Sequence, residues 1–150
     1  MRGWRAPVNG EEHGVLGEEQ AALRRVATLV ARGVPAEQVF ATVTEESGRL
    51  LAADFATLGR YESDGTMTVV AVWRGTGDFA PPVGSRQILG GTNVSTRVFQ
   101  TGRAARIDSY ADASGPLGVA AREDRIGSGA GTPVIVDGRV WGVMATYAPL

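Results

Sequence analysis

Residues 133–144, with the sequence PVIVDGRVWGVM, place Asp137-Gly138 between two runs of apolar and β-branched residues. A tight antiparallel turn needs positive φ angles at its centre, and Asp-Gly adopts them at low cost. Residues 55–73, FATLGRYESDGTMTVVAVW, repeat this pattern around Asp64-Gly65. Two such hairpins far apart in the chain predict a single antiparallel sheet whose middle is interrupted by an inserted segment. We expect the function to lie in that segment, between about residues 75 and 125.

The composition is typical of a soluble protein with one domain. The chain has 150 residues, of which 43% are hydrophobic and 21% charged, and its formal net charge is -1. This charge, without an arginine-rich stripe, predicts no nucleic-acid partner. The apolar runs are too short to span a bilayer, and residues 1–5 are not followed by the apolar core of a signal peptide. We therefore predict a cytoplasmic protein with no membrane partner.

Two residue types that carry much of enzyme chemistry are absent. The sequence has no cysteine, and all 15 of its basic residues are arginine. Thiolate nucleophiles, zinc–thiolate sites, Schiff bases and a P-loop lysine are therefore excluded. The one histidine, His13, follows Glu11 and Glu12 in a glycine-flanked stretch, which we interpret as a solvated tail rather than a metal site. Residues 1–17 are predicted to be a flexible N-terminal segment.

Two helices are predicted before the first hairpin. Residues 18–32 carry a single apolar stripe and are followed by Gly33, a typical helix-ending residue. A second helix is predicted from Pro35 to about Leu51, because proline favours the first turn. Its buried face should contain Val39, Phe40, Val43, Ser47, Leu50 and Leu51.

The inserted segment is predicted to form a cover of short elements. It contains a short strand near residues 85–89, a helix over 94–100 that ends at Gly102, a strand over 103–107 and a helical turn over 114–123. The fold class is therefore α+β: a central antiparallel sheet of five to six strands has the two N-terminal helices on one face. Loops and short helices form a lid on the other face, an arrangement typical of a binding pocket.

Four segments carry a resemblance to the GAF domain, the small-molecule sensory module of bacterial histidine kinases, phosphodiesterases and transcription regulators. They are residues 23–33, 54–61, 102–107 and 131–144. The sequence most resembles the GAF module of sensor histidine kinases of high-GC bacteria. The resemblance implies a GAF-like domain over residues 18–150, with a non-catalytic role in signal transduction and a kinase or other output domain in a parent or partner protein. The helix that usually ends a GAF domain is missing after Leu150, so we expect a C-terminally truncated domain that could complete itself as a homodimer.

The resemblance also allows known GAF chemistries to be compared with this sequence. Bilin attachment needs a cysteine, and haem-binding relatives use a histidine in the lid, where residues 116–122 contain none. The signature of cyclic-nucleotide-binding members includes a lysine, so a cyclic nucleotide is left open but without support. We expect no bound cofactor and an unidentified small molecule as the ligand.

The candidate ligand-binding residues are Trp73, Gly91, Asn93, Ser95, Thr96, Asp108 and Tyr110. Residues 90–93, GGTN, precede a helix whose free N–H groups could attract an anion, although Thr92 or Asn93 could instead simply cap it. Trp73 could stack on a ligand or belong to the core. Asp108 and Tyr110 follow a strand at the expected pocket mouth. The alternative function is a ligand-free GAF-like dimerisation or spacer domain; an enzyme is not expected, because the folded part contains no histidine, cysteine or lysine.

Overall fold

A computed structural model of the chain describes residues 31–75 and 80–149, together with residues 17, 21, 24, 25 and 27–29. The expected N-terminal segment, including His13, lies outside the described residues except for Gly17. Within the predicted first helix, every described residue up to Ala31 is helical. The elements that follow are α1 (Ala36–Leu50), β1 (Phe55–Tyr61), β2 (Thr66–Arg74), β3 (Arg86–Ile88), α2 (Val94–Thr101), β4 (Ala105–Ile107), α3 (Gly115–Glu123), β5 (Ile126–Val136) and β6 (Arg139–Pro149).

The six strands form one antiparallel sheet in the order β3-β2-β1-β6-β5-β4. The two predicted hairpins, β1–β2 and β5–β6, lie side by side because β1 pairs with β6. The segment between them supplies the edge strands β3 and β4 and the helices α2 and α3. The predicted α+β fold class with an interrupted sheet is therefore confirmed.

The two Asp-Gly turns differ in geometry. Val136 pairs with Arg139, and Asp137 and Gly138 have φ angles of 52° and 77°, as a two-residue turn requires. The first hairpin instead closes through Glu62 N–H to the Thr66 carbonyl at 2.8 Å, with a three-residue loop in which only Gly65 has positive φ. Asp64 stabilises this loop by accepting from the Thr66 N–H at 3.2 Å and from its hydroxyl at 2.6 Å. Both dipeptides therefore mark hairpins but serve different loop lengths.

One face of the sheet packs against α1. Leu58, Ala71 and Met144 are buried there against Phe40, Val43, Val70, Val134 and Trp141. The predicted burial of Leu50 and Leu51 is wrong, because α1 ends at Leu50 and the chain turns away; Leu51 is 65% exposed. Arg25 of the first helical segment forms a bidentate ion pair with Glu46 on α1, at 2.5 and 2.7 Å. Because Arg25 holds Glu46, the pKa of this carboxyl is lowered.

The opposite face carries the larger core, beneath α2 and α3. Its buried members come from the sheet and from the cover together: Phe55, Met67, Val69, Val94, Val98, Ile107, Tyr110, Ala113, Ile126, Val143 and Ala145. Both faces of the central strands are therefore covered, as the apolar residues on both faces of β5 and β6 predict. None of the helices in the described ranges is both long enough and apolar enough to cross a membrane.

Two β-bulges decide which way Trp73 and Trp141 point. Between Leu58 and Gly59 the partner residue on β2 changes from Ala71 to Val69, so Val70 is an extra residue that reverses the alternation of the strand. Trp73 consequently faces α1, where its indole fills the space beside Gly48. An equivalent shift on β6 leaves Trp141 unpaired in the register and directs it onto the same face.

Candidate ligand-binding pocket

A cavity of about 100 Å³ lies between the sheet and its cover. Its apolar wall comes from β1 and β2, from the loop between β2 and β3, from α3 and from the start of β5: Phe55, Met67, Val69, Pro81, Leu117, Ala120, Ala121 and Ile126. Its polar groups are Thr57, Gln87, Asn93, Ser95, Tyr110 and Tyr147. Among the described residues that line it, none carries a formal charge. The cavity is therefore suited to an uncharged molecule, and it gives no support to an anionic ligand.

Three hydroxyl-bearing side chains form one polar part of this wall. Tyr147 on β6 interacts through its phenol with the hydroxyls of Ser95 and Thr57. Burial raises the pKa of Tyr147, and the two hydroxyls oppose this effect in part. Each hydroxyl can donate and accept, so this hydroxyl cluster (Thr57, Ser95 and Tyr147) can rearrange around a ligand oxygen.

Tyr110 is a second polar group of the wall and is only 2% exposed. Its hydroxyl accepts a hydrogen bond from the Val94 N–H at 3.3 Å. No described residue accepts a hydrogen bond in turn from this hydroxyl. Burial raises the pKa of Tyr110, so the phenol keeps its proton at neutral pH. It therefore offers a donor on the cavity wall.

The N–H groups of Val94 and Thr96, at the N-terminus of α2, are bonded within the protein itself. Asn93 is its N-cap and accepts from the Thr96 N–H at 3.0 Å, while its amide donates to the Gly90 carbonyl at 2.8 Å and to the Ser114 carbonyl at 3.3 Å. The Val94 N–H is already bound to Tyr110. The capping interpretation of residues 90–93 is thus confirmed, and the capped amides are not available to an anion.

The glycines before α2 serve a contact between two loops. Gly91 has a φ of 75°, and a side chain there would overlap the backbone of Ser114 and Gly115. Thr96 strengthens the same loop, because its hydroxyl accepts from the Gly90 N–H at 2.9 Å. Gly91 and Thr96 therefore brace the cover and do not line the cavity.

Two predicted site residues lie elsewhere. Trp73 is across the sheet from the cavity, against α1, with the Arg49 guanidinium 6.0 Å from its ring centroid; the bulge at Val70 is the reason. Asp108 is exposed and pairs with Arg106 at 2.8 Å. The structure thus brings Asn93, Ser95 and Tyr110 to the cavity, places Gly91 and Thr96 behind them, and leaves Trp73 and Asp108 apart.

Several lining residues were not predicted from the sequence, above all Thr57, Gln87 and Tyr147. Thr57 lies two residues after Phe55 on β1, and Tyr147 lies two residues after Ala145 on β6. All four side chains are therefore on the face toward the inserted segment. The period of two along each strand carries this signal. It becomes readable only once the inserted segment is known to cover that face, because both faces are apolar.

The fold is that of an α+β domain, with an antiparallel sheet, a helix behind it and a helical cover over a cavity. The chain belongs to the GAF domain family, whose sequence model matches residues 33–149. GAF domains are typically sensory or regulatory parts of signalling proteins and are generally non-catalytic. No protein of curated function matches the sequence.

Solved structures share this fold. The phycoerythrobilin-bound GAF domain of a cyanobacterial phytochrome superposes with a TM-score of 0.70 at 12% identity, over 87% of this chain and 81% of that one. The GAF domain of Acinetobacter phosphoenolpyruvate-protein phosphotransferase gives 0.63 at 16% identity, over 87% and 78%. The GAF domain of A. aeolicus nlh2 in an inactive state gives 0.62 at 14% identity, over 91% and 82%. At these identities the similarity establishes the fold alone.

Proposed function

We propose that this domain is a non-catalytic sensory module that binds a small molecule in the cavity between the sheet and its cover. The observation that carries the proposal is the cavity wall, which combines an apolar body with the hydroxyl cluster and Tyr110. A few placed polar groups in an apolar hollow are characteristic of small-molecule sites.

The size of the cavity limits what it can hold. Sites for drug-sized molecules have volumes of about 300–1,000 Å³, whereas an engineered cavity of about 150 Å³ takes up benzene. At about 100 Å³, the cavity limits its ligand to about the size of one small ring at most. A bilin is far larger, and its covalent attachment needs a cysteine that this sequence lacks.

The output of the domain is proposed from its resemblances. We infer a kinase or other output domain in a parent or partner protein, as in the sensor histidine kinases of two-component systems that the sequence resembles. A cytoplasmic location and a homodimer belong to the same proposal. A ligand can act on such a partner only by binding one arrangement of the cover or helices more tightly than another.

A ligand-free dimerisation or spacer domain is the second candidate. The small volume of the cavity favours it, as does the exposed apolar pair Leu50 and Leu51 at the end of α1. The polar groups on the cavity wall favour the first candidate, because hydroxyls that line a cavity add no stability to a purely structural core.

Thermal-shift screening of the full chain can separate the two candidates. The screen uses uncharged compounds of about six to ten non-hydrogen atoms, and a ligand that binds only the folded state must raise the melting temperature. Ala121→Leu fills the cavity from α3 and should abolish every such shift, whereas Val119→Leu, on the exposed side of the same helix, should preserve them. Shifts that persist in Ala121→Leu, or a complete absence of shifts in the wild type, would favour the ligand-free domain.

A further inference from the structure

We propose that the cavity selects an uncharged ligand of about one ring that carries a hydroxyl or carbonyl oxygen, which accepts a hydrogen bond from Tyr110 beside the hydroxyl cluster. This inference rests on the proposed function and specifies its ligand class. It follows from three features of the wall: an unused donor, a cluster of exchangeable hydroxyls, and the lack of charge among the described lining residues.

The unused donor is the hydroxyl of Tyr110. It accepts from the Val94 N–H, but no described residue accepts a hydrogen bond from it. A hydroxyl can donate as well as accept, so the bond from Val94 leaves the O–H of Tyr110 available as a donor. Tyr110 is 2% exposed and lines the cavity, so a ligand oxygen inside the cavity could accept a hydrogen bond from it.

The hydroxyl cluster can donate a hydrogen bond to the same ligand oxygen or accept one from a ligand hydroxyl. Thr57 and Ser95 are buried, and the Tyr147 ring centroid lies 6.4 Å from that of Tyr110. Hydroxyls rotate and act as donor or acceptor, so the cluster tolerates both alcohols and carbonyl compounds. The stacking of Tyr147 on Phe55, with centroids 4.7 Å apart, fixes the ring that carries the phenol.

Charged ligands are disfavoured by the same wall. Bringing an ion into an apolar cavity is costly unless an opposite charge pairs with it, and no described lining residue provides one. At the N-terminus of α2, the N–H groups of Thr96 and Val94 are already bonded to Asn93 and Tyr110. An oxygen that is polar but uncharged satisfies the donor without this cost.

The test compares four probes of similar size by NMR titration of the full chain: phenol, toluene, benzoate and benzylammonium. Phenol should bind about 3- to 10-fold more tightly than toluene, the range expected for one net hydrogen bond. Benzoate and benzylammonium should bind at least about 10-fold more weakly than phenol, because each must lose its hydration without gaining a counter-charge.

Single-hydroxyl variants then locate the selectivity. Tyr110→Phe should abolish the preference for phenol over toluene while leaving toluene affinity within about 2-fold. Tyr61→Phe is the matched control, because the Tyr61 hydroxyl donates to the Ser95 carbonyl at 2.7 Å and is not part of the cavity wall. Thr57→Val should reduce the preference in part and serves as a second variant if Tyr110→Phe does not fold.

The possible results separate this inference from the proposed function. If toluene binds as well as phenol, or if a charged probe binds best, the cavity is a ligand site but the ligand class is refuted. A preference that survives in Tyr110→Phe also refutes the assignment of that hydroxyl. If no probe binds at millimolar concentration and Ala121→Leu changes nothing in the compound screen, both the ligand class and the proposed function are refuted.

Discussion

Replacing Gly91 by alanine tests whether the loop before α2 is braced against the cover or left open for a ligand. A residue other than glycine at positive φ costs about 1–2 kcal/mol. At Gly91 the new Cβ would also overlap the backbone of Ser114 and Gly115, which cannot rotate away as a flexible side chain can. Overpacking of this kind costs a further 1–3 kcal/mol or so, so Gly91→Ala should lower the free energy of unfolding by about 2–5 kcal/mol.

Gly138→Ala is the matched control for this prediction. Its φ of 77° is close to the 75° of Gly91, but, chain neighbours aside, no described residue has an atom within 4 Å of its Cβ position. It should therefore cost only about 1–2 kcal/mol, and the effect of alanine on the unfolded chain is common to both variants. The comparison isolates the loop contact.

Urea unfolding followed by far-ultraviolet circular dichroism measures both variants. The slope of the unfolding free energy against urea concentration should remain that of the wild type, so that the midpoint reports stability directly. For a domain of this size each kcal/mol corresponds to about 2–4 °C in melting temperature. If the losses of unfolding free energy in Gly91→Ala and Gly138→Ala differ by less than about 0.5 kcal/mol, the two loops are not in close contact. Gly91 would then again be a candidate for contact with a ligand.

Two further substitutions test the cap of α2 and the ion pair behind the sheet. Asn93→Ala should lower the free energy of unfolding by about 2 kcal/mol, because the Thr96 N–H loses its cap. A loss of stability smaller than the one typical of Ser-to-Ala changes at the caps of exposed helices would contradict the capping role. Arg25 lowers the folded-state pKa of Glu46, so this pair stabilises the fold above the unfolded pKa of about 4.3 and stops doing so as the pH falls through the lower folded value. Urea midpoints between pH 6 and pH 3 should therefore fall less steeply in Glu46→Gln than in the wild type; Glu45→Gln, at an exposed pair, should follow the wild-type curve.

Local sequence signals predict the elements of this fold well because each depends on a few neighbouring residues. The two Asp-Gly turns mark both hairpins, Gly102 ends α2 with a φ of 65°, and Asn93 caps its start. These features need no knowledge of distant contacts.

The candidate site is less predictable because bulges and loop contacts decide it. A single extra residue, Val70, moves Trp73 from the cavity face to the α1 face, and nothing in the β-branched run of β2 indicates where it occurs. The approach of Gly91 to Gly115 joins loops that are distant in sequence. Tyr147 reaches the cavity only through the pairing of β6 at the centre of the sheet. Each of these is a tertiary effect.

Ligand binding and the position of α2 depend on the same tyrosine hydroxyls. All three tyrosines of the sequence meet the first turn of α2: Tyr61 donates to the Ser95 carbonyl, Tyr110 accepts from the Val94 N–H, and Tyr147 interacts with the Ser95 hydroxyl. Tyr110 and Tyr147 also line the cavity, whereas Tyr61 does not. A ligand that engages Tyr110 and Tyr147 therefore polarises hydroxyls that also bond to this turn, whereas the Tyr61 hydroxyl stays outside the cavity. We therefore expect the backbone amide NMR signals of Val94 and Ser95 to shift on phenol binding, even where phenol does not contact these residues. If the amide signals of α2 do not shift, ligand binding in the cavity is not coupled to the cover.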